Sequence, residues 1–140
     1  MAQDLGQDIA TEAPNVTVPT SDLADGTRSA LFPSTAVDLG DPTPLELACE
    51  WQQVALAGGT SNAMLFAHWS NDNTDFSNDD NGEPIEVIKC NGTTTVKKCF
   101  SFKVRMRYLK FTILNEAGAS LDFTASDSDI TIWDNFGNQV

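Results

Sequence analysis

The stretch Phe100-Ser101-Phe102-Lys103-Val104-Arg105-Met106-Arg107-Tyr108-Leu109-Lys110-Phe111-Thr112-Ile113-Leu114 decides how this chain is read. Up to Tyr108, the apolar residues Phe100, Phe102, Val104, Met106 and Tyr108 alternate with Ser101, Lys103, Arg105 and Arg107. A period of two places these sets on opposite faces of a strand, one buried and one cationic. Beyond Tyr108 the phase slips, because Leu109, Phe111 and Ile113 now hold the apolar positions. A β-bulge or bend near Tyr108-Leu109 is expected to restore one continuous core face.

Outward from this strand, Asn115-Glu116-Ala117-Gly118 supplies a turn, and Leu121 and Phe123 read as the returning strand of a hairpin. Asp127-Ser128-Asp129 turns the chain again before Ile130, Ile132 and Trp133. Upstream, Ala63 to Trp69 is an apolar run suited to a buried strand, and Ile85 to Cys90 alternates more weakly. Leu45 to Ala57 reads as a strand on the alternation of Leu45, Leu47, Cys49 and Trp51. A helix is the alternative there, with Thr43-Pro44-Leu45-Glu46 resembling a capping box and Gly58-Gly59 as its stop. Short apolar runs between Asn/Asp/Gly turns predict an all-β fold, an antiparallel β-sandwich of jelly-roll-like form over residues 45–140.

Residues 1–44 have a different texture. Pro14, Pro19, Pro33, Pro42 and Pro44 punctuate them, apolar residues are scattered, and Val16-Thr17-Val18 is the only strand-like fragment. They are expected to form an extended N-terminal arm that gains order on a partner's surface, with Val16, Val18, Leu23, Leu31 and Phe32 as its contacts. Ordering such an arm costs about 1–2 kcal/mol per fixed backbone residue, which the partner must offset.

The 140 residues are 41% hydrophobic and include 8 Phe and 3 Trp, enough for a single core. No run of about 18 apolar residues exists, and Met1-Ala2-Gln3-Asp4 does not open an export signal. No membrane span is expected, and a protein made and used without export fits best. A net charge of −12 argues against nucleic acid as a partner, because like charge repels phosphate. The charge is uneven: residues 1–88 hold fifteen acids and Arg28 alone among bases, while seven of eight bases lie between Lys89 and Lys110. Lys97, Lys98, Arg105 and Arg107 are therefore expected to form a basic stripe that meets an acidic surface on another copy or a host assembly. The plain alternative is a solvated strand face.

Catalytic constellations are weak. His68, the single histidine, sits in an apolar run without a Gly-x-Ser-x-Gly elbow, so it reads as a packed residue. Cys90 and Cys99 are spaced to bridge a hairpin, but three cysteines and no export signal favour reduced thiols packed as small hydrophobes. The acidic segment from Asn71 to Glu83 has the oxygen density of a hard-cation loop, yet Ser77 and Ile88 stand where an EF-hand loop needs ligands. Trp51, Trp69, Phe76, Trp133 and Phe136 are the aromatics that a sugar-binding surface would expose, Phe76 most suggestively because it lies amid polar residues. The chain is expected to be non-enzymatic, with no metal and no cofactor.

The stretch Phe102 to Ile113, the Asn/Asp/Gly turns and the acidic arm give the chain a texture that resembles the small β-sandwich or jelly-roll proteins that decorate and cement tailed-phage capsids. The resemblance implies a virion protein that binds the major capsid protein and copies of itself, commonly as a trimer, and reinforces the finished shell. The alternative is a carbohydrate-binding β-sandwich module of a fibre or surface appendage.

Overall fold

In the computed structural model, the described residues are 15–78, 81–124 and 127–134. They form eight strands: β1 (Asn15–Val16), β2 (Phe32–Asp38), β3 (Glu46–Gln53), β4 (Asn62–Ser70), β5 (Glu83–Lys89), β6 (Val96–Lys103), β7 (Tyr108–Glu116) and β8 (Asp129–Asp134). Two four-stranded antiparallel sheets result, ordered β1-β8-β3-β6 and β2-β7-β4-β5. Consecutive strands therefore change sheet at almost every connection, which is the jelly-roll arrangement of two packed sheets.

Alternation drives the local structure. In β3, Leu47, Cys49, Trp51 and Gln53 are buried while Glu46, Ala48, Glu50 and Gln52 lie on the half-exposed outer face. Buried Gln53 is tolerated because its amide is engaged: Trp51 Nε1 donates to its Oε1, and its Nε2 donates to Val54 O and Ser128 Oγ, all at 3.1 Å. The ambiguous segment is thus a strand. Between the sheets, Phe102 of β6 meets Trp69 of β4 at 6.3 Å and Phe111 of β7 edge-on at 6.4 Å, while Phe32 of β2 lies 5.9 Å from Phe111. Each fully buried side chain of this size contributes roughly 1.5–3 kcal/mol.

The phase slip has another origin than the expected bulge. Phe100 to Leu114 is not one strand but two, β6 and β7 in different sheets, joined by Val104-Arg105-Met106-Arg107. The inward set changes from even to odd positions because the chain crosses the sandwich and faces the core from the other side. The hairpin expected at Leu121 and Phe123 is also corrected. Both side chains are buried, but Leu121 makes only isolated bridges, to Leu23 and Ala55.

The largest correction concerns the arm. Residues 1–14 lie outside the described residues, but 15–44 belong to the sandwich. β1 pairs with β8, and β2 pairs with β7. Between them the chain runs beside β7, with Leu23 and Leu121 exchanging backbone bonds at 3.1 and 2.9 Å and Ser29 N donating to Ile113 O at 2.8 Å. Prolines do not prevent this, because β1 and β2 are edge strands and β2 carries a register shift between Phe32 and Val37.

At the opposite rim, the β5 edge is blocked by side chains. The Val87 N–H donates to Glu86 Oε1 at 2.9 Å, its carbonyl accepts from Lys98 Nζ at 3.1 Å, and Lys98 and Glu86 pair with each other at 3.1 Å. Lys98 reaches from β6, so this cluster also ties the two sheets together.

Candidate binding surfaces

The basic stripe is largely neutralised within the chain. Arg105 forks onto Glu83, with Nη2–Oε2 2.7 Å and Nε–Oε2 3.1 Å, and Arg107 forks onto Asp38 at 2.8 and 3.1 Å. Lys97 lies 3.7 Å from Glu50, and Lys98 pairs with Glu86. The Arg107 guanidinium holds the Asp38 carboxyl below its ordinary value, and that of Arg105, aided by Trp69 Nε1–H, does the same for Glu83. The four cations are therefore not a free stripe, since each already faces a carboxylate of its own chain. The acid-rich first part and base-rich second part of the sequence meet inside one molecule, because the jelly roll puts β2 beside β7 and β5 near β6.

The arm contacts are likewise internal. Val16 and Phe32 are buried in this chain's own core and present no surface to a partner; Val18 and Leu23 pack against that core, half-buried. Leu31 is half-buried and lines a concavity described below.

His68 is fully buried on the outer side of β4. Its Nδ1 lies 2.7 Å from Ser77 O and its Nε2 2.8 Å from Thr112 Oγ1, which also accepts from Arg28 Nη1 at 3.1 Å. A carbonyl can only accept, so Nδ1 carries a proton. In the neutral ring Nε2 then accepts from the Thr112 hydroxyl, giving one directed chain from Arg28 to Ser77. Arg28 also stacks 4.2 Å above Phe66. These bonds pin segment 71–78 over the sheet, with the imidazole fully buried beneath it.

The segment is ordered from within by Asp72. Its Oδ1 accepts from Ser70 Oγ at 2.8 Å, Thr74 N at 2.9 Å and Asp75 N at 3.0 Å. Those donors, the Asp75 and Thr74 amides foremost, pull its carboxyl down to about 2. Asp79 and Asp80, part of the expected cation loop, lie outside the described residues. Among the described residues, no group of three or more His, Cys, Asp or Glu could hold a metal ion.

Phe76 leaves this segment to sit under Lys110, whose Nζ is 4.9 Å from the ring centroid. Leu31, Asn73, Thr74, Asp75, Phe76, Asn78 and Lys110 line a shallow concavity on the outer side of β2-β7-β4-β5. The other candidate aromatics do not join it. Trp51 and Trp69 are buried, Phe136 is outside the described residues, and half-buried Trp133 faces outward from the opposite sheet beside Ala48. No flat multi-aromatic platform is formed among the described residues.

Cys49, Cys90 and Cys99 are free thiols. Burial pushes Cys49 and Cys90 up, away from thiolate reactivity, as expected of small packed hydrophobes, but Cys99 is exposed on the outer face of β6. Among the described residues, the most exposed large apolar side chain is Leu45 at 68%. Its carbonyl accepts from Val104 N at 3.0 Å, joining segment 39–45 to the β6–β7 crossing that carries Met106, 39% exposed. Compared with known proteins, the chain matches no protein-family model and no curated protein.

Proposed function

We propose that this chain is a non-enzymatic structural subunit that binds an assembled protein shell and reinforces it, as capsid decoration or cement proteins do. The observation that carries the reading is the strand order β1-β8-β3-β6 over β2-β7-β4-β5, an architecture recurrent in viral capsid and lectin domains. The interior polar groups fit a scaffold: Gln53, His68, Thr112 and Asn115 are buried in hydrogen bonds that hold segments in place. The end bearing Leu45 and Met106 supplies exposed apolar contacts held by backbone bonds to the sheets. In this reading the partners are the major shell protein and further copies of this chain, gathered as a trimer at symmetry axes. The site of action is the virion surface after synthesis in the host cytoplasm.

The mechanism is mass action: a ligand that binds only the assembled shell stabilises it by its own binding free energy. It does not draw on an unfolded arm, since residues 15–44 are folded on the chain's own sheets. The test is sedimentation of purified particles from the producing culture, with quantitative mass spectrometry. The chain is expected in fixed ratio to the major shell protein, and particles carrying none of it overturn the proposal.

A further inference from the structure

We propose that the concavity bounded by Phe76, Leu31 and Lys110 binds a sugar unit that carries a carboxylate. This does not rest on the shell reading, because the site lies on the outer side of β2-β7-β4-β5, whereas Leu45 and Met106 mark an end of the sandwich.

The first observation is Lys110. Lys97, Lys98, Arg105 and Arg107 each have a carboxylate within 4.0 Å, whereas Lys110, like Arg28, Lys89 and Lys103, has none among the described residues. Its ammonium is instead stationed over the Phe76 ring inside a concavity. The second is the lining. Exposed Asn73 and Asp75 make no side-chain hydrogen bond among the described residues, since segment 71–78 is held through the backbone amides of Thr74 and Asp75 and through Ser77. An ordered segment that leaves these groups unengaged presents them at little entropic cost to a ligand.

The chemistry selects the ligand. The apolar C–H face of a pyranose suits Phe76 and Leu31, its hydroxyls donate to Asp75 and accept from the Asn73 amide, and a ring carboxylate meets Lys110. An uncharged sugar leaves the ammonium unmatched. A bare anion gains only the ammonium and is opposed by Asp75.

The test uses the full chain and saturation-transfer NMR. The probes are methyl glycosides of uronic and sialic acids, each beside its uncharged counterpart, with acetate as the anion control. At least one acidic glycoside is expected to bind at millimolar strength, about tenfold tighter than its uncharged counterpart. Lys110→Met should erase that preference and Phe76→Ala should abolish sugar binding, both with unchanged melting. Asp75→Ala should weaken the sugars and leave acetate unaffected or stronger. Equal binding of charged and uncharged glycosides, acetate matching the best acidic sugar, or no transfer from any sugar at about 10 mM overturns the proposal.

Discussion

Arg107 forms a two-pronged ion pair with Asp38 across sixty-nine positions of sequence, its Nε 2.8 Å from Oδ1 and its Nη2 3.1 Å from Oδ2. Both residues are exposed enough for water and salt to screen the pair. The backbone repeats the link, since Leu39 N donates to Arg107 O at 2.9 Å. A double-mutant cycle of Arg107→Ala and Asp38→Ala in urea unfolding should give a small favourable coupling that disappears near 1 M salt. A coupling that persists there would mean the pair is shielded by something more than its fork geometry.

Removal of residues 1–44 should unfold the protein. That deletion takes β1 and β2 together with buried Val16 and Phe32, and leaves the flanks of β8 and β7 unpaired. Loss of the Phe32 side chain alone is worth about 3–5 kcal/mol. Circular dichroism and urea unfolding of chain 45–140 check this. Mild proteolysis of the purified monomer should likewise spare bonds between residues 28 and 38, and rapid cleavage there would restore the picture of a free arm.

The seat of His68 is too tight for change in either partner. A Cβ added at Gly82 would stand 2.6 Å from His68 Cε1 and 2.7 Å from Nε2, against a ring held at both nitrogens. Gly82→Ala should therefore displace the neighbouring segment and accelerate its proteolysis. His68→Ala strands Ser77 O and the Thr112 hydroxyl and should cost about 1–3 kcal/mol for the unmet polar groups, before any cavity cost. Urea unfolding and cleavage within 71–82 measure both effects.

Asp72 should make stability depend on pH in acid. Its folded carboxyl is drawn to about 2 by the Asp75 and Thr74 amides, below the unfolded value near 4. The stabilisation is present above that unfolded value and is lost as pH falls toward 2, because the unfolded chain takes up the proton first. The difference in melting temperature between wild type and Asp72→Asn should be clear at pH 6 and close on approach to pH 2. A gap unchanged by pH would assign the effect of the substitution to the turn geometry alone.

The all-β class and six of the eight strands, with β6 and β7 read as one, were legible where alternation or an apolar run is strong, as in Glu46–Gln53, Asn62–Ser70 and Asp129–Asp134. The sheet change at 104–107 was visible as a parity slip, but a bulge produces the same slip, and only long-range pairing separates the two. β1 showed only as the fragment Val16-Thr17-Val18 and β2 was hidden, because irregular edge segments are held by backbone bonds and single apolar anchors such as Phe32, which leave no period to read. Phe76 stood out in sequence as an aromatic among polar residues. Its neighbour Lys110 did not, since the contact spans two strands and a loop and no spacing rule foretells it.

Among the described residues the sheet edges are β1, β2, β5 and β6, and at Val87 of β5 the outward donor and acceptor are already taken by Glu86 and Lys98. Most chains that stack into fibrils do so by offering such an edge to an incoming segment. Here a newcomer must first evict a charged side chain at each of two successive backbone groups. A margin guarded in this way can be crowded against its own copies without offering Val87 to cross-β growth.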